Sequence, residues 1–409
     1  MHFWETDTCV RESLRDLPKA ITVSTFTAGF VAALMGASGP ILLVFQAAQL
    51  SHYTEQQIGS WVFGIYAVGG MMSLLLAIMY RQPATGAFSM AGAALLVNVL
   101  PRFGLHEAVG AYLLGGVLIT LLAFTGWFNR VMEFVSKEIV MAMLGGVLFH
   151  FSAAIFPQLV SFPALVAPTL LAYLIAHRWN RVAPPMTVAL IVAIGQVLLF
   201  HPPPAGAIEF TFSLPRFYAP AFSLDGFLSL TLPLVLLTLS SQNASGISVL
   251  SALGYRPRIS AITFFTGVLS IATAPMAGHG VNLATPMSAV CGDASVHPDP
   301  RMRYGAAVIA GLFFILFGTL GVTMFSLIRI MPQGLIMVIA GLAMLPVVLT
   351  VLQQSFGTRR RPLGCIFALI IAAANVQWFG IGSAFWSLIL ATAISYWLDP
   401  EGMSREVVG

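Results

Sequence analysis

Long apolar segments recur along the whole chain, and they restrict it to one class of fold. Of the 409 residues, 58% are hydrophobic and only 8% are charged, and the mean hydropathy is +0.90. A soluble domain carries about 25% charged residues, whereas an apolar stretch of about 17–25 residues suffices to cross a bilayer. The sequence therefore predicts an all-α polytopic membrane protein.

Twelve of the apolar segments have the length of ordinary spans: 24–50, 57–80, 106–128, 134–151, 160–177, 184–200, 225–252, 258–274, 302–328, 333–352, 363–378 and 382–398. Two more, 83–100 and 277–292, begin with Gly- or Pro-rich sequence, and their helix-compatible parts are too short to span. If both are counted as crossings, the chain has fourteen transmembrane segments, seven on each side of a Pro-rich loop at 201–224.

The charged residues orient these segments. With the N-terminus inside, sixteen of the 19 Lys and Arg residues fall on the inner side, and the outer side receives only Arg102, Arg216 and Arg329. This positive-inside bias supports fourteen crossings and predicts cytoplasmic termini at 1–23 and 399–409, with the loop at 201–224 in the periplasm. The basic residues lie dispersed at segment ends, so the pI near 9.1 does not indicate a nucleic-acid partner.

The N-terminal stretch M-H-F-W-E-T-D-T-C-V-R-E-S-L-R-D-L-P-K lacks the apolar core and cleavage site of a signal peptide. We therefore expect the first span to act as an uncleaved insertion signal. Cys9, Cys291 and Cys365 show no metal-binding spacing and are expected to be isolated thiols. We predict neither a metal site nor a cofactor.

The first short segment contains a break. Pro83 disfavours a regular helix, and the run from Thr85 to Phe88 suits an extended strand. Ser89 is then the predicted N-cap of a half-helix over 90–100.

The second short segment is interrupted in the same way. Asn282 or Thr285 is expected to cap its half-helix, and Pro286 suits the first helical turn. The interruption itself comes from three residues, Pro275, Gly278 and Gly280.

The two breaks each lie third in their half of the chain, about 190 residues apart. Paired interruptions at matching positions are typical of transporter sites built from inverted repeats, because non-helical backbone in a membrane must be buried in protein or line a cavity. Two half-helices with facing N-termini present free N–H groups and positive dipole ends, which suit a carboxylate. Simple Pro and Gly kinks are the alternative interpretation.

A polar stretch, L-S-S-Q-N-A-S-G-I-S at 239–248, follows very apolar sequence in the first span of the second half. Its Ala244-Ser245-Gly246 matches Ala37-Ser38-Gly39 in the first span of the first half, about 207 residues earlier. We predict that both polar stretches pass the tips of the half-helices.

These patterns predict a substrate-binding set. Gln242 and Asn243 can donate and accept hydrogen bonds without burying a charge, although interhelical hydrogen bonding is the alternative role. Phe88 and Met90 would wall an aromatic ring, with core packing as the alternative. The whole set is Gln242, Asn243, Ser89, Met90, Asn282, Ser38, Gln46 and Phe88.

Proton-coupling candidates are few. His279, between two glycines, is the one titratable side chain placed near mid-membrane by the sequence. A structural histidine bonded to a backbone carbonyl is an equal alternative. Asp293, at the inner end of the second half-helix, is a weaker candidate, and the lack of other acids near the tips favours an anionic substrate.

Three stretches, L-S-S-Q-N-A-S-G-I, G-A-F-S-M-A-G-A-A-L-L-V and G-I-G-S-A-F-W-S-L-I, resemble the benzoate/proton symporter family (BenE type) of bacterial inner membranes, over about residues 27–398. That family is distantly similar to nucleobase permeases and to sulfate and bicarbonate transporters. The resemblance implies a seven-plus-seven inverted repeat. Its core domain would comprise 24–132 and 225–328, and its gate domain 133–200 and 329–398.

The pattern of the uracil permease, carried over residue by residue, places a glutamate at Gln242 and another near Val281, with Ser89 and Met90 on ligand contacts of the third segment. Both acids are missing from this sequence. A nucleobase substrate and the protonation mechanism of that permease are therefore not transferred.

The resemblance and the residues together predict proton-coupled uptake of benzoate or a similar aromatic carboxylate by rocking or elevator motion of the core against the gate. The alternatives are a carrier or exporter of another anion, or a passive anion channel. No constellation of catalytic residues indicates an enzyme. The expected partners are the carboxylate, protons and membrane lipid, and relatives with this fold often form homodimers.

Overall fold

The computed structural model of the chain describes residues 8–38, 40–125, 136–153, 155–179, 185–200, 210–357, 360–374, 378 and 383–399. Within these ranges the protein is almost entirely helical and contains one sheet of two short strands. The first half consists of α1 (Val10–Ala20), α2 (Val23–Ser38), α3 (Pro40–Leu50), α4 (Glu55–Tyr80), β1 (Gly86–Phe88), α5 (Met90–Val99), α6 (Leu105–Thr125), α7 (Lys137–Ala153), α8 (Ile155–Ser161), α9 (Pro163–Trp179) and α10 (Pro185–Phe200).

The second half begins with a continuous helical stretch in which two π-helical turns, Phe227–Thr231 and Thr238–Asn243, interrupt the α-helix. Its elements are α11 (Leu232–Leu237), α12 (Ala244–Ala252), α13 (Ile259–Thr273), β2 (Val281–Leu283), α14 (Thr285–Gly292), α15 (Tyr304–Thr319), α16 (Gly321–Arg329), α17 (Gln333–Phe356), α18 (Pro362–Ala373) and α19 (Ser383–Leu398).

Several helical stretches are long and apolar enough to cross a bilayer, which fits a multi-pass membrane protein. Among the described residues there are six of them: Val23–Leu50, Glu55–Tyr80, Leu105–Thr125, Leu224–Ala252, Ile259–Met276 and Pro300–Thr319. Fourteen crossings and the orientation of the termini remain predictions.

The helices pack as two bundles, each of which combines both halves of the sequence. In the first bundle, formed by α2–α6 and α11–α16, α4 packs on α15, α6 on α13, and α2 on α15. In the second bundle, formed by α7–α10 and α17–α19, α7 packs on α17 and α18, and α9 packs on α10 and α17. The resemblance assigns the stretches in these bundles to a core and a gate domain, respectively, and that division remains a prediction.

The N-terminal segment, for which no element was predicted, forms the helix α1 against the first bundle. Tyr304 donates a hydrogen bond from its hydroxyl to the carbonyl of Ser13 at 2.6 Å. Arg81, which ends α4 in a left-handed conformation (φ 50°), pairs with Asp16 at 3.1 Å and Glu12 at 3.5 Å. These contacts fix α1 to one end of α4.

The crossing of α4 and α15 depends on two small residues. A Cβ atom added to Gly311 would lie 2.8 Å from the carbonyl oxygen of Gly70, and one added to Gly70 would collide with the carbonyl oxygen of Gly311. Small residues let helix backbones approach closely in membrane proteins. The packing of the first bundle therefore requires glycine on both sides.

We expect Gly311→Val to destabilise the protein by roughly 1–3 kcal/mol, because the added methyl groups force α4 and α15 apart. The measurement is the melting temperature of the detergent-solubilised protein, with thermal unfolding monitored by size-exclusion chromatography. Gly195→Ala is the matched control, since Gly195 of α10 has open space where a Cβ would be added. An unchanged melting temperature for Gly311→Val would contradict this account of the crossing.

Candidate functional site: a cavity between the bundles

The two short segments meet in an antiparallel strand pair. Gly86 pairs with Leu283, Ala87 with Asn282, and Phe88 with Val281. The strands thus satisfy each other's backbone hydrogen bonds at a point where neither segment is helical, as non-helical backbone in a membrane requires.

Ser89 caps the first short helix, as predicted. Its hydroxyl accepts the N–H of Gly92 at 2.9 Å, and α5 begins at Met90. With the amide of Asn282 oriented to satisfy both of its polar atoms, its oxygen accepts the N–H of Ser89 at 2.9 Å and its nitrogen donates to the carbonyl of Leu283 at 3.2 Å. The second segment therefore helps to hold the start of the first segment's helix.

The predicted cap of the second short helix was wrong. The helix α14 begins at Thr285, and its N-cap is Ala284, which makes no side-chain capping bond. Asn282 lies in β2, and its amide is directed to Ser89 and Leu283 instead. Pro286 lies in the first turn of α14, as predicted. The hydroxyl of Thr285 donates to the backbone carbonyl of Gln242 at 3.3 Å.

The polar stretch at 239–248 contains a π-helical turn that the sequence did not reveal. Within Thr238–Asn243, the hydroxyls of Ser240 and Ser241 donate to the carbonyls of Leu236 and Leu237, each at 2.6 Å. A π-turn inserts one extra residue into the helix and is frequent at functional sites. The neighbouring side chains of Gln242 and Asn243 in this turn have different surroundings.

Asn243 points away from open space and holds β2. Its side chain is completely buried; its amide oxygen accepts the N–H of Leu283 at 3.0 Å, and its amide nitrogen donates to the hydroxyl of Thr266 at 3.0 Å. This geometry is the interhelical role that the sequence left as the alternative. Gln242, one residue earlier, borders a cavity.

The cavity has a volume of about 310 Å³, within the range of small-molecule sites, and lies between the two bundles. The first bundle contributes Met35, Gly36, Pro40, Ala87, Phe88, Met90, Gln242, Ala284, Pro286 and Met287. The second bundle contributes Tyr173, His177, Pro185, Met186, Leu342 and Pro346.

The lining is mostly apolar and includes an aromatic ring on each side, Phe88 and Tyr173. The starts of α5 and α14 both reach it, through Met90 and Pro286. The first backbone N–H groups of a helix have no intrahelical partner and carry the positive end of its dipole. Here the Ser89 hydroxyl already binds the N–H of Gly92 and Pro286 has none, which leaves those of Met90, Ala91, Thr285 and Met287. The cavity therefore combines apolar walls with two sources of positive potential, which suits a ligand with a ring and an anionic group.

The structure separates the predicted binding residues into groups. Phe88, Met90 and Gln242 line the cavity. Ser89, Asn243 and Asn282 are buried directly behind that wall.

Two candidates from the first span remain. Gln46, on α3, does not line the cavity, and its buried amide oxygen has no hydrogen-bond partner among the described residues. Ser38 ends α2, and its side chain lies outside the described part of the chain, although Gly36 and Pro40 beside it line the cavity.

His279 lies behind Phe88, where both of its ring nitrogens are occupied. The indole N–H of Trp61 donates to Nδ1 at 3.0 Å, and Nε2 lies 3.1 Å from the carbonyl of Ser89. Because an indole N–H can only donate, Nδ1 must accept, and the proton of the neutral ring is on Nε2. Phe88 contacts the imidazole edge-on with ring centroids 5.7 Å apart. This is the arrangement of the structural alternative, and the proton-coupling role remains a prediction.

Asp293 lies at the end of α14 and is exposed. Its carboxylate accepts hydrogen bonds from the hydroxyl of Ser295 at 2.6 Å and from the N–H of the same residue at 2.9 Å. These bonds lower the pKa of Asp293, so the carboxylate is ionised at neutral pH.

Sequence reasoning missed the half of the cavity that belongs to the second bundle. Tyr173 and His177 lie in the last two turns of α9, and Met186 in the first turn of α10. His177 directly precedes Arg178 at a segment end, a position typical of an interfacial residue. The internal Pro346 of α17 was the one unusual feature of its segment that could have indicated the site.

Comparison with known proteins confirms the resemblance suggested by the motifs. The family described as benzoate membrane transport protein (BenE) matches residues 19–396. The inner membrane protein YdcO of Escherichia coli (strain K12) is 34% identical over 372 residues, which cover 90% of this chain and 94% of that protein. The benzoate membrane transport protein of Acinetobacter baylyi (strain ATCC 33305 / BD413 / ADP1) is 28% identical over 382 residues, or 92% and 95% of the two chains.

Solved anion-transporter structures have a similar fold. The transmembrane domain of the cyanobacterial bicarbonate transporter BicA matches with a TM-score of 0.59 and 15% identity, covering 91% of this chain and 97% of that one. Murine Slc26a9 in the inward-facing state matches with a TM-score of 0.60 and 14% identity, covering 94% of this chain and 70% of that one. At these identities the comparison establishes the fold alone.

We expect Asn243→Ala to lower thermal stability, because it leaves the buried N–H of Leu283 and the hydroxyl of Thr266 without their partner. An unsatisfied buried polar group costs about 1–3 kcal/mol. The measurement is the melting temperature of the purified protein in detergent. Ser248→Ala is the control: this exposed serine donates only to a carbonyl of its own helix. Equal melting temperatures for the two variants would contradict the anchoring role of Asn243.

Proposed function

The chain belongs to the benzoate membrane transport protein family (BenE), and we propose that it takes up benzoate or a similar aromatic carboxylate together with protons. As members of this family are membrane transporters, the protein is a multi-pass membrane transporter and not an enzyme. The observation that carries the choice of substrate is the cavity, in which aromatic and methionine side chains surround the starts of two helices.

The ring and the carboxylate of benzoate would occupy different parts of the cavity. Phe88, Tyr173 and the methionines offer apolar contacts to a planar ring, including sulfur–aromatic contacts. The carboxylate would lie at the starts of α5 and α14, where free N–H groups and helix dipoles favour an anion. Gln242, on the same wall, would donate its amide N–H to one carboxylate oxygen.

The absence of acidic residues from the cavity lining supports an anionic substrate. Among the described residues, those that line it include no Asp or Glu, so an incoming carboxylate meets no like charge from them. One proton carried with each benzoate would make the transported unit electroneutral, and the inward proton gradient would then drive accumulation.

The positions of the lining residues along the helices of the second bundle also support a transport mechanism. The second bundle lines the cavity with the C-terminal turns of α9, the start of α10 and the later part of α17. All three face the inner side in the orientation predicted from the positive charges. We propose that the cavity is inward-facing and that the first bundle, acting as core domain, carries it across the membrane by sliding or rocking against the second bundle as gate domain.

The family relationship supports a location in the bacterial inner membrane, as the name of YdcO states for that protein. Cytoplasmic termini and a homodimer belong to the same proposal. A carrier or exporter of another anion is the second candidate, because the structurally similar proteins include a bicarbonate transporter.

The test of this function is uptake of radiolabelled benzoate into proteoliposomes. We expect accumulation above the external concentration when an inward proton gradient is imposed, and loss of accumulation when a protonophore collapses the gradient. Liposomes without protein correct for passive entry of benzoic acid. Uptake that never exceeds equilibrium would instead indicate a passive channel, whereas competition by a non-aromatic anion and not by benzoate would indicate another carrier.

We expect Gln242→Ala to weaken benzoate binding roughly tenfold, because a hydrogen bond to a charged group is lost. Gln242→Glu is expected to weaken it further, since a carboxylate in the cavity repels the ligand. Isothermal titration or scintillation proximity binding measures both variants. Gln353→Ala on the exposed side of α17 is the control. Unchanged affinity in both Gln242 variants would exclude this residue from the site.

A further inference from the structure

We propose that His177 is the group of the second bundle that becomes protonated when the carboxylate binds, so that the affinity for the substrate depends on pH. This inference deepens the proposed function and rests on it. It concerns a residue that neither the sequence patterns nor the family description single out.

The composition of the cavity lining leads to this assignment. In the part of the chain that the structure describes, the titratable residues lining the cavity are Tyr173 and His177. A tyrosine changes charge only at alkaline pH, whereas a histidine does so near neutral pH. His177 is also exposed to the cavity, so a proton can reach its imidazole from water.

His177 lies at the end of a helix and against an aromatic ring. The residue lies in the last turn of α9, where the carbonyl end of the helix dipole stabilises a cation. Its ring stacks on that of Tyr173, with an interplanar angle of 14° and centroids 6.1 Å apart. This stacking holds the imidazole at the cavity wall.

Among the described residues, few other charged groups lie on the helices that pack against the helix of His177. The helices that pack against α9 are α8, α10 and α17, and the sequences of all three contain no titratable or charged residue. On α9 itself the other such groups are Tyr173 and Arg178. Arg181 follows in the sequence and lies outside the described residues.

His279 is less suited to the same task. The residue is 5% exposed and does not line the cavity, and both of its ring nitrogens have partners. A second proton on Nδ1 would face the indole N–H of Trp61, which can only donate. Protonation of His279 would thus break a buried hydrogen bond, whereas protonation of His177 breaks none that involves the described residues.

The position of His177 between the two bundles links binding of the proton to binding of the substrate. The helix starts of α5 and α14 belong to the first bundle and the imidazole to the second, so a carboxylate between them contacts both bundles. Binding of the anion favours the protonated ring, and the protonated ring favours the anion, because binding linkage is reciprocal. Release of the proton to the inner side would then weaken substrate binding and promote its release.

The experiment measures the affinity for benzoate at about pH 6 and about pH 8, a range in which benzoate itself stays ionised. We expect the wild-type affinity to fall by about tenfold or more across this range, and that of His177→Gln to change by less than about twofold. His177→Arg, with a permanent cation, should bind at the higher pH with little pH dependence. His52→Asn, at an exposed residue with φ 55°, is the control and should behave like the wild type.

A pH dependence that persists in His177→Gln overturns the assignment while leaving benzoate transport intact. The assignment is also overturned if the Gln and the Arg variant both lose binding at either pH but elute unchanged in size-exclusion chromatography. A permanent cation should replace the imidazolium, so the Arg variant is expected to bind. If the wild type binds no aromatic carboxylate at any pH, the proposed function fails and this inference fails with it. The three results are distinguishable in the same assay.

Discussion

The fold around the cavity depends on hydrogen bonds to the backbone N–H and C=O groups at two places where an apolar segment stops being helical. Lipid offers no hydrogen bonds, so non-helical backbone needs a partner inside the protein. The pairing of Gly86–Phe88 with Val281–Leu283 supplies it, and Thr85 extends it by accepting the N–H of Ala284 at 2.8 Å. With the backbone satisfied in this way, the starts of α5 and α14 can be brought to one cavity without exposing unpaired groups to the membrane.

The site consists of two layers with different tasks. The outer layer faces the cavity and offers apolar and weakly polar contacts from Phe88, Met90 and Gln242. The layer behind it is polar and saturated: Asn243 holds β2, Asn282 reaches the start of α5, and His279 joins Trp61 to the carbonyl of Ser89. Buried polar networks with every group paired are rigid. Such a backing keeps the wall in place while leaving its surface suited to an aromatic anion.

Much of this could be predicted from the sequence, and the remainder could not for identifiable reasons. The breaks follow from Pro and Gly, whose effects on the backbone are local, and the capping by Ser89 follows from its position before a helical run. The cap of α14 was predicted wrongly because Asn282 bonds across to the other segment, a contact that local sequence does not reveal. The π-turn at Thr238–Asn243 depends on competition for helix carbonyls, and the contribution of His177 depends on how two bundles dock. Tertiary packing decides both.

The strand pair has a consequence for the order of events during synthesis. The residues of β1 leave the ribosome about 195 residues before those of β2. Until then the backbone N–H and C=O groups of the first strand have no partner strand, and they cannot remain unpaired in the hydrocarbon core of the membrane. The helices made before β2 must therefore wait in a provisional arrangement, held against other protein or close to the water interface, and they can settle only when β2 arrives. Contacts between residues so far apart in sequence form late and slowly, so the cavity between the bundles should be among the last parts of this protein to form.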